Sequence, residues 1–266
     1  MSGLTDLVRR HPLATFVVLA YLFSWTLVPM GGLLGSGPFL AAVLVLAVVE
    51  GRAGVVGLLG RMVQWRVHWG WYAVAVLLPA GIAVIAAVLT VALGAPRPTG
   101  DEVAGWTGLP LTFLVFLLLP LLGAWEEPGF RGYALSRLME DHRPLVAAAL
   151  VGVIVVGFHV PLFLTGDIPI ADIVLVMAAA VVFAWVVIGS GGSVLLAMVM
   201  HATNNVVSGE YISPMFSGSD ADLLGWIRAG LWCVAAAAIA LAAGAGLGAK
   251  ESQATPGRPV RPHQPL

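Results

Sequence analysis

The stretch LPLTFLVFLLLPLLGAWEEPGFRGYALSRLME, residues 109–140, opens with seventeen uncharged residues and then sets two adjacent glutamates and an arginine in the same apolar run. An apolar run of about 20 residues is what a helix needs to cross a bilayer. A charge at membrane depth costs at least ~2.5 kcal/mol, so charges kept there face a bundle interior or a wet cavity. Residues 109–140 therefore predict a membrane helix that carries a buried polar site.

The rest of the chain has the same character. Of its 266 residues, 59% are hydrophobic and 10% charged, against roughly 25% charged in a soluble domain. Apolar runs lie at approximately 13–34, 37–50, 70–94, 109–140, 144–165, 169–188, 192–208 and 223–248. The reading is an all-α, polytopic membrane bundle of about eight transmembrane helices, the second short enough to be tilted or partly re-entrant. The first run is longer than a signal-peptide core and further spans follow it, so it reads as a retained helix. A net charge of −1 with scattered basic residues gives no nucleic-acid footprint. The single cysteine, Cys233, excludes a disulfide framework and a cysteine zinc site.

Basic residues set the expected orientation, because they concentrate in cytoplasmic loops. With the amino terminus inside, eleven arginines and lysines fall at the inner boundary, and only Arg97 and Arg228 fall outside. Both ends are then cytoplasmic, in a cell membrane, and the strong preference for arginine over lysine suggests a bacterial, G+C-rich source. Residues 1–104 read as amino-terminal membrane helices that include a basic surface segment, 51–68. Residues 105–210 carry the polar helices and 211–249 the last span. The proline-rich residues 250–266 read as a disordered cytoplasmic tail.

Polar residues inside the apolar runs are Glu126, Glu127 and Arg131, then His159, then His201, Asn204 and Asn205. Glu126 and His159 each lie 16 to 17 positions from the turn near 141–144, so an antiparallel hairpin sets them at one depth. Glu127 and Arg131 stand four apart, the spacing of a same-face ion pair, while Glu126 points about 100° away. His201 and Asn205 share another face at the same spacing; Asn204 points away from it and reads as a packing or capping residue. Pro128 and Gly129 predict a kink beside the glutamates, and GSGGS at 189–193 breaks the chain before the last polar helix.

The strings Glu126-Glu127-Pro128-Gly129-Phe130-Arg131, Phe158-His159 and His201-Ala202-Thr203-Asn204-Asn205 resemble, in order, the EExxxR, FxxxH and HxxxN motifs of the CPBP family. That family holds type II CAAX prenyl proteases and Abi-type bacteriocin-processing and immunity proteins. The likeness spans residues 105–210, with one departure: Val155 stands where the motif has an aromatic, and Phe158 lies beside the histidine instead. The resemblance implies an intramembrane peptidase acting on a peptide or protein substrate at the bilayer. It implies that Glu126 and His159 activate water, that His201 and Asn205 form the oxyanion hole, and that Glu127 and Arg131 support them. Two alternatives within this reading stay open, metal-free hydrolysis and a zinc site of Glu126, His159 and His201. Asn205, a poor zinc ligand and a good amide donor, favours the first. A proton-coupled transporter and a non-catalytic immunity or scaffold protein are the competing classes. No internal hydropathy repeat supports a transporter, and the complete set Glu126, His159, His201 and Asn205 argues against a silent scaffold.

Overall fold

The computed structural model describes residues 2–249. Met1 and the tail 250–266, expected to be disordered, lie outside the described residues. Among those residues all regular structure is helical, and the chain is an all-α membrane helix bundle. Five helical stretches are long and apolar enough to cross a membrane: Pro12–Met30, Trp69–Ala92, Gly100–Glu126, Ala171–Gly189 and Gly218–Gly246. The runs at 37–50 and 144–165 appear as the shorter apolar helices Gly37–Val49 and Pro144–Phe158, and the run at 192–208 begins with Val194–Thr203.

In lipid, one apolar helix gains little by leaving another apolar environment, so helices associate through close packing and interhelical hydrogen bonds. Small residues permit that approach here. Gly37 faces Ser24, and its missing Cβ leaves room for the Ser24 hydroxyl, which donates to Leu34 O at 2.8 Å. The helix Pro12–Ser24 packs on Gly37–Val49 at this point, while Gly189 lies against the Trp71 ring. Ala171–Gly189 sits between Pro144–Phe158 and Gly218–Ala243, and Val194–Thr203 packs on Trp69–Ala92. Nearly every residue of Val194–Thr203 is buried, so it forms the centre of the bundle.

The basic segment at 51–68 forms a helix only over Gly51–Met62, and it is fastened to the polar helices by Arg61. That guanidinium donates to Gly192 O at 2.9 Å, Gly132 O at 2.8 Å and Ser136 Oγ at 3.0 Å. Three expected helices are interrupted. The run 109–140 is not continuous: helix Leu109–Leu118 stops, residues 119–122 are irregular, and the chain resumes as 3₁₀-helix Gly123–Glu126 and π-helix Pro128–Ala134. Pro120 is the cause, since it lacks an N–H and forces the residue before it out of the helical region. Leu119 has φ −82° and ψ 117°. The predicted kink at Pro128 is instead the first residue of the π-helix. The run 144–165 divides at His159 into Pro144–Phe158 and Val160–Thr165, ahead of Pro161. Val194–Thr203 likewise passes into π-helix Asn204–Ile212. The last helix starts at Gly218, earlier than the expected 223, which leaves Arg228 ten residues inside it and 8% exposed.

Candidate active site

The interruptions lie where the polar residues are. π-helical turns are rare and recur at functional sites, because the wider turn re-aims side chains. Here one π-helix carries Arg131 and the other Asn205, while a 3₁₀-turn ends on Glu126. Glu126, Glu127, Arg131, His159, His201, Asn204 and Asn205 all line one cavity of about 510 Å³.

Glu127 is the hub of the side-chain network and has no exposed surface. Its Oε1 accepts from Arg131 Nη1 at 3.0 Å and lies 2.7 Å from His201 Nδ1. A carboxylate accepts only, so His201 Nδ1 carries the proton in this contact. The Arg131 guanidinium also sits over the Phe183 ring, 4.7 Å from its centroid, and the same ring meets His201 edge-on at 6.2 Å. Phe183 thus holds both partners of Glu127, and the expected i, i+4 pair becomes a three-residue chain.

Glu126 stands apart from this network. It is 5% exposed, and its Oε2 is buried with no hydrogen-bond partner among the described residues. A buried carboxylate oxygen without a donor costs free energy unless something enters to satisfy it. Glu126 lines the cavity, so a water or a substrate group bound there can do so.

His159 occupies the end of Pro144–Phe158, where the helix register changes. Its Nδ1 is 2.8 Å from Val155 O, so Nδ1–H donates there and Nε2 keeps a free lone pair. The backbone supplies this contact, so it does not depend on which side chain stands at 155. The aromatic role belongs to Phe158, fully buried and packed edge-on against His159 at 5.0 Å and Phe130 at 5.3 Å. Pro161 has no N–H and Leu162 N–H turns to His159 O, so the helix end has orphan carbonyls. Trp25 Nε1 donates to Phe158 O at 3.0 Å, and Tyr21 Oη donates to Ile154 O at 2.6 Å. The amino-terminal helices thereby fix the turn that presents His159.

Asn204 does not turn away from Asn205 as helical spacing predicts. It lines the cavity, and its Nδ2 donates to Asn205 Oδ1 at 3.3 Å. Asp172 and Arg228, which sequence reasoning passes over, line the same cavity. Both carry the signal that marks Glu126, a charge in an apolar run, close to the start of the expected spans 169–188 and 223–248. Arg228 Nη1 reaches Ser213 Oγ at 3.4 Å, and Asp172 Oδ1 is buried without a partner among the described residues.

A catalytic zinc site needs three protein ligands converging at about 2.0–2.2 Å from one point. Among the described residues no three His, Cys, Asp or Glu side chains are arranged to hold a metal ion. The alternative set Glu126, His159 and His201 shares a cavity but not such a centre. Residues 105–207 match the profile of the family described as type II CAAX prenyl endopeptidase Rce1-like. No curated protein matches the sequence.

Proposed function

We propose, from the match of residues 105–207 to the type II CAAX prenyl endopeptidase family, that the chain is a membrane endopeptidase whose cavity hydrolyses a peptide bond with water activated by Glu126 and His159. The convergence of both groups with His201 and Asn205 on one cavity carries this reading. Water enters between the free Glu126 oxygen and His159 Nε2. Glu126 takes one proton while Nε2 accepts the hydrogen bond of the other, and the hydroxide oxygen bonds to the peptide carbonyl carbon. The carbonyl π pair moves onto oxygen. Asn205 Nδ2–H and, in the imidazolium form, His201 Nε2–H donate to that oxyanion, with Glu127 as the counter-charge behind the ring. The proton on Glu126 then passes to the leaving nitrogen as the C–N bond breaks and the carbonyl re-forms. No step is routed through a metal.

The substrate reaches the site from the bilayer side in this account. The stretch Gly100–Glu126, which contributes Phe116, Leu121 and Leu122 to the cavity wall, has only 6% of its apolar window buried by protein. Among the five spans it is the one least covered by the rest of the described protein.

The reading is tested with the purified full chain in detergent and a set of fluorogenic peptides. His159→Ala is expected to lower cleavage by at least ~10²-fold, the usual weight of a positioned acid–base group. Asn205→Ala should lower kcat by about 10² to 10³ with KM nearly unchanged, as for loss of one oxyanion donor. Wild-type rates in folded His159→Ala protein refute the proposal.

A further inference from the structure

Gly123 is the residue at which the chain resumes after the break at 119–122, and it faces the two proposed oxyanion donors. A Cβ built on Gly123 would lie 2.7 Å from His201 Nε2 and 2.8 Å from Asn205 Nδ2. Carbon and nitrogen in contact stay about 3.5 Å apart, so no side chain fits that point without displacing both groups. With no side chain there, both nitrogens keep positions from which they can donate to an oxyanion bound beyond the glycine, at the 2.7–3.1 Å such donors require.

The backbone does not ask for glycine there, since Gly123 is not among the glycines of positive φ. Neither donor is free to swing away. Nδ1 of His201 is held by Glu127 at 2.7 Å, which aims Nε2 at the open point. Asn205 Oδ1 accepts from Asn204, which turns Nδ2 towards the same place. Two separately anchored nitrogens thus converge on a vacancy that only glycine leaves.

We infer that glycine at 123 is a positioning requirement for hydrolysis: the absence of a Cβ lets His201 Nε2 and Asn205 Nδ2 stay where they can hold the oxyanion together. The inference rests on the hydrolytic reading above. It adds a residue that belongs to none of the three motifs and does its work by having no side chain.

Gly123→Ala is the test, made in the full chain in detergent. Expected is a fall in kcat of at least ~10²-fold, the loss of an oxyanion contact, with KM within about twofold and an unchanged melting temperature. Affinity for a peptide phosphinate, whose tetrahedral oxygen takes the place of the oxyanion, should fall by a similar factor. In an Asn205→Ala background, where one of the two clashes is gone and only that with His201 remains, adding Gly123→Ala should cost less than it does in the wild type, because contacting groups are not additive. Wild-type kcat and phosphinate affinity in Gly123→Ala overturn the inference. If Asn205→Ala and His159→Ala also retain wild-type turnover, the hydrolytic reading itself has failed; if those two are impaired, only the role of Gly123 has. Should Gly123→Ala not fold, the structure of the wild type with the phosphinate decides. A phosphinyl oxygen within hydrogen-bond distance of His201 Nε2 and Asn205 Nδ2 upholds the inference, and one placed elsewhere overturns it.

Discussion

Arg131→Ala is expected to destabilise the protein and to silence it at once. Glu127 has no exposed surface and takes hydrogen bonds from Arg131 and His201 on a single oxygen. Removing the guanidinium leaves a carboxylate in an apolar bundle with His201 as its one remaining side-chain partner among the described residues. Stranding a buried charge in this way costs about 3–5 kcal/mol, a large share of the roughly 5–15 kcal/mol by which folded domains are stable. The contact with the Phe183 face is lost as well, worth about 0.5–2 kcal/mol. Thermal unfolding in detergent should show a lower midpoint, and surviving folded protein should cleave poorly because His201 loses its fixed counter-charge. A midpoint equal to the wild type would show that Glu127 does not depend on Arg131. Arg131→Lys keeps the charge but not the flat group stacked on Phe183, so it should recover only part of the stability.

Glu126→Gln and Glu127→Gln should separate two adjacent carboxylates by function. Glutamine in place of Glu126 keeps shape and hydrogen-bonding capacity but removes the base, so cleavage should fall by at least ~10²-fold. Stability should hold or rise, since among the described residues Glu126 Oε2 has no partner whose loss would be felt. Glu127→Gln should behave in the opposite sense. Its oxygen can still accept, but the charge that balances Arg131 and the protonated ring is gone, so the midpoint drops and turnover declines less. If Glu127→Gln abolished cleavage in stable protein while Glu126→Gln cleaved normally, the two roles would be exchanged.

Much of this arrangement is legible in residue spacing. The Glu127–Arg131 pair follows from an i, i+4 interval, which survives the local π-helix, and Glu126 and His159, which counting outward from one turn sets at one depth, both line the cavity. Their placement in a single cavity does not require the uninterrupted helices assumed in that count. What spacing cannot convey is how the turns change. Pro120 reads as one more residue in an apolar run, yet it ends the helix at Leu118 and frees Gly123 to approach His201. Asn204 is misread for a related reason, because the 100° step of an α-helix does not hold once the chain becomes a π-helix. Tyr21 and Trp25 lie more than 130 positions from the carbonyls they hold, and no periodicity connects them to His159. Phe183 resembles any apolar residue of its helix until the fold sets its ring between Arg131 and His201.

The most direct test of the central claim is hydrolysis of a peptide mixture by the purified full chain before and after exhaustive chelation, read by mass spectrometry. The account predicts new amino and carboxyl ends at the same rate in both samples, because the water is activated by Glu126 and His159 and no step passes through a metal. Absence of hydrolysis by folded protein in either sample, or hydrolysis lost on chelation and restored by zinc, would contradict it.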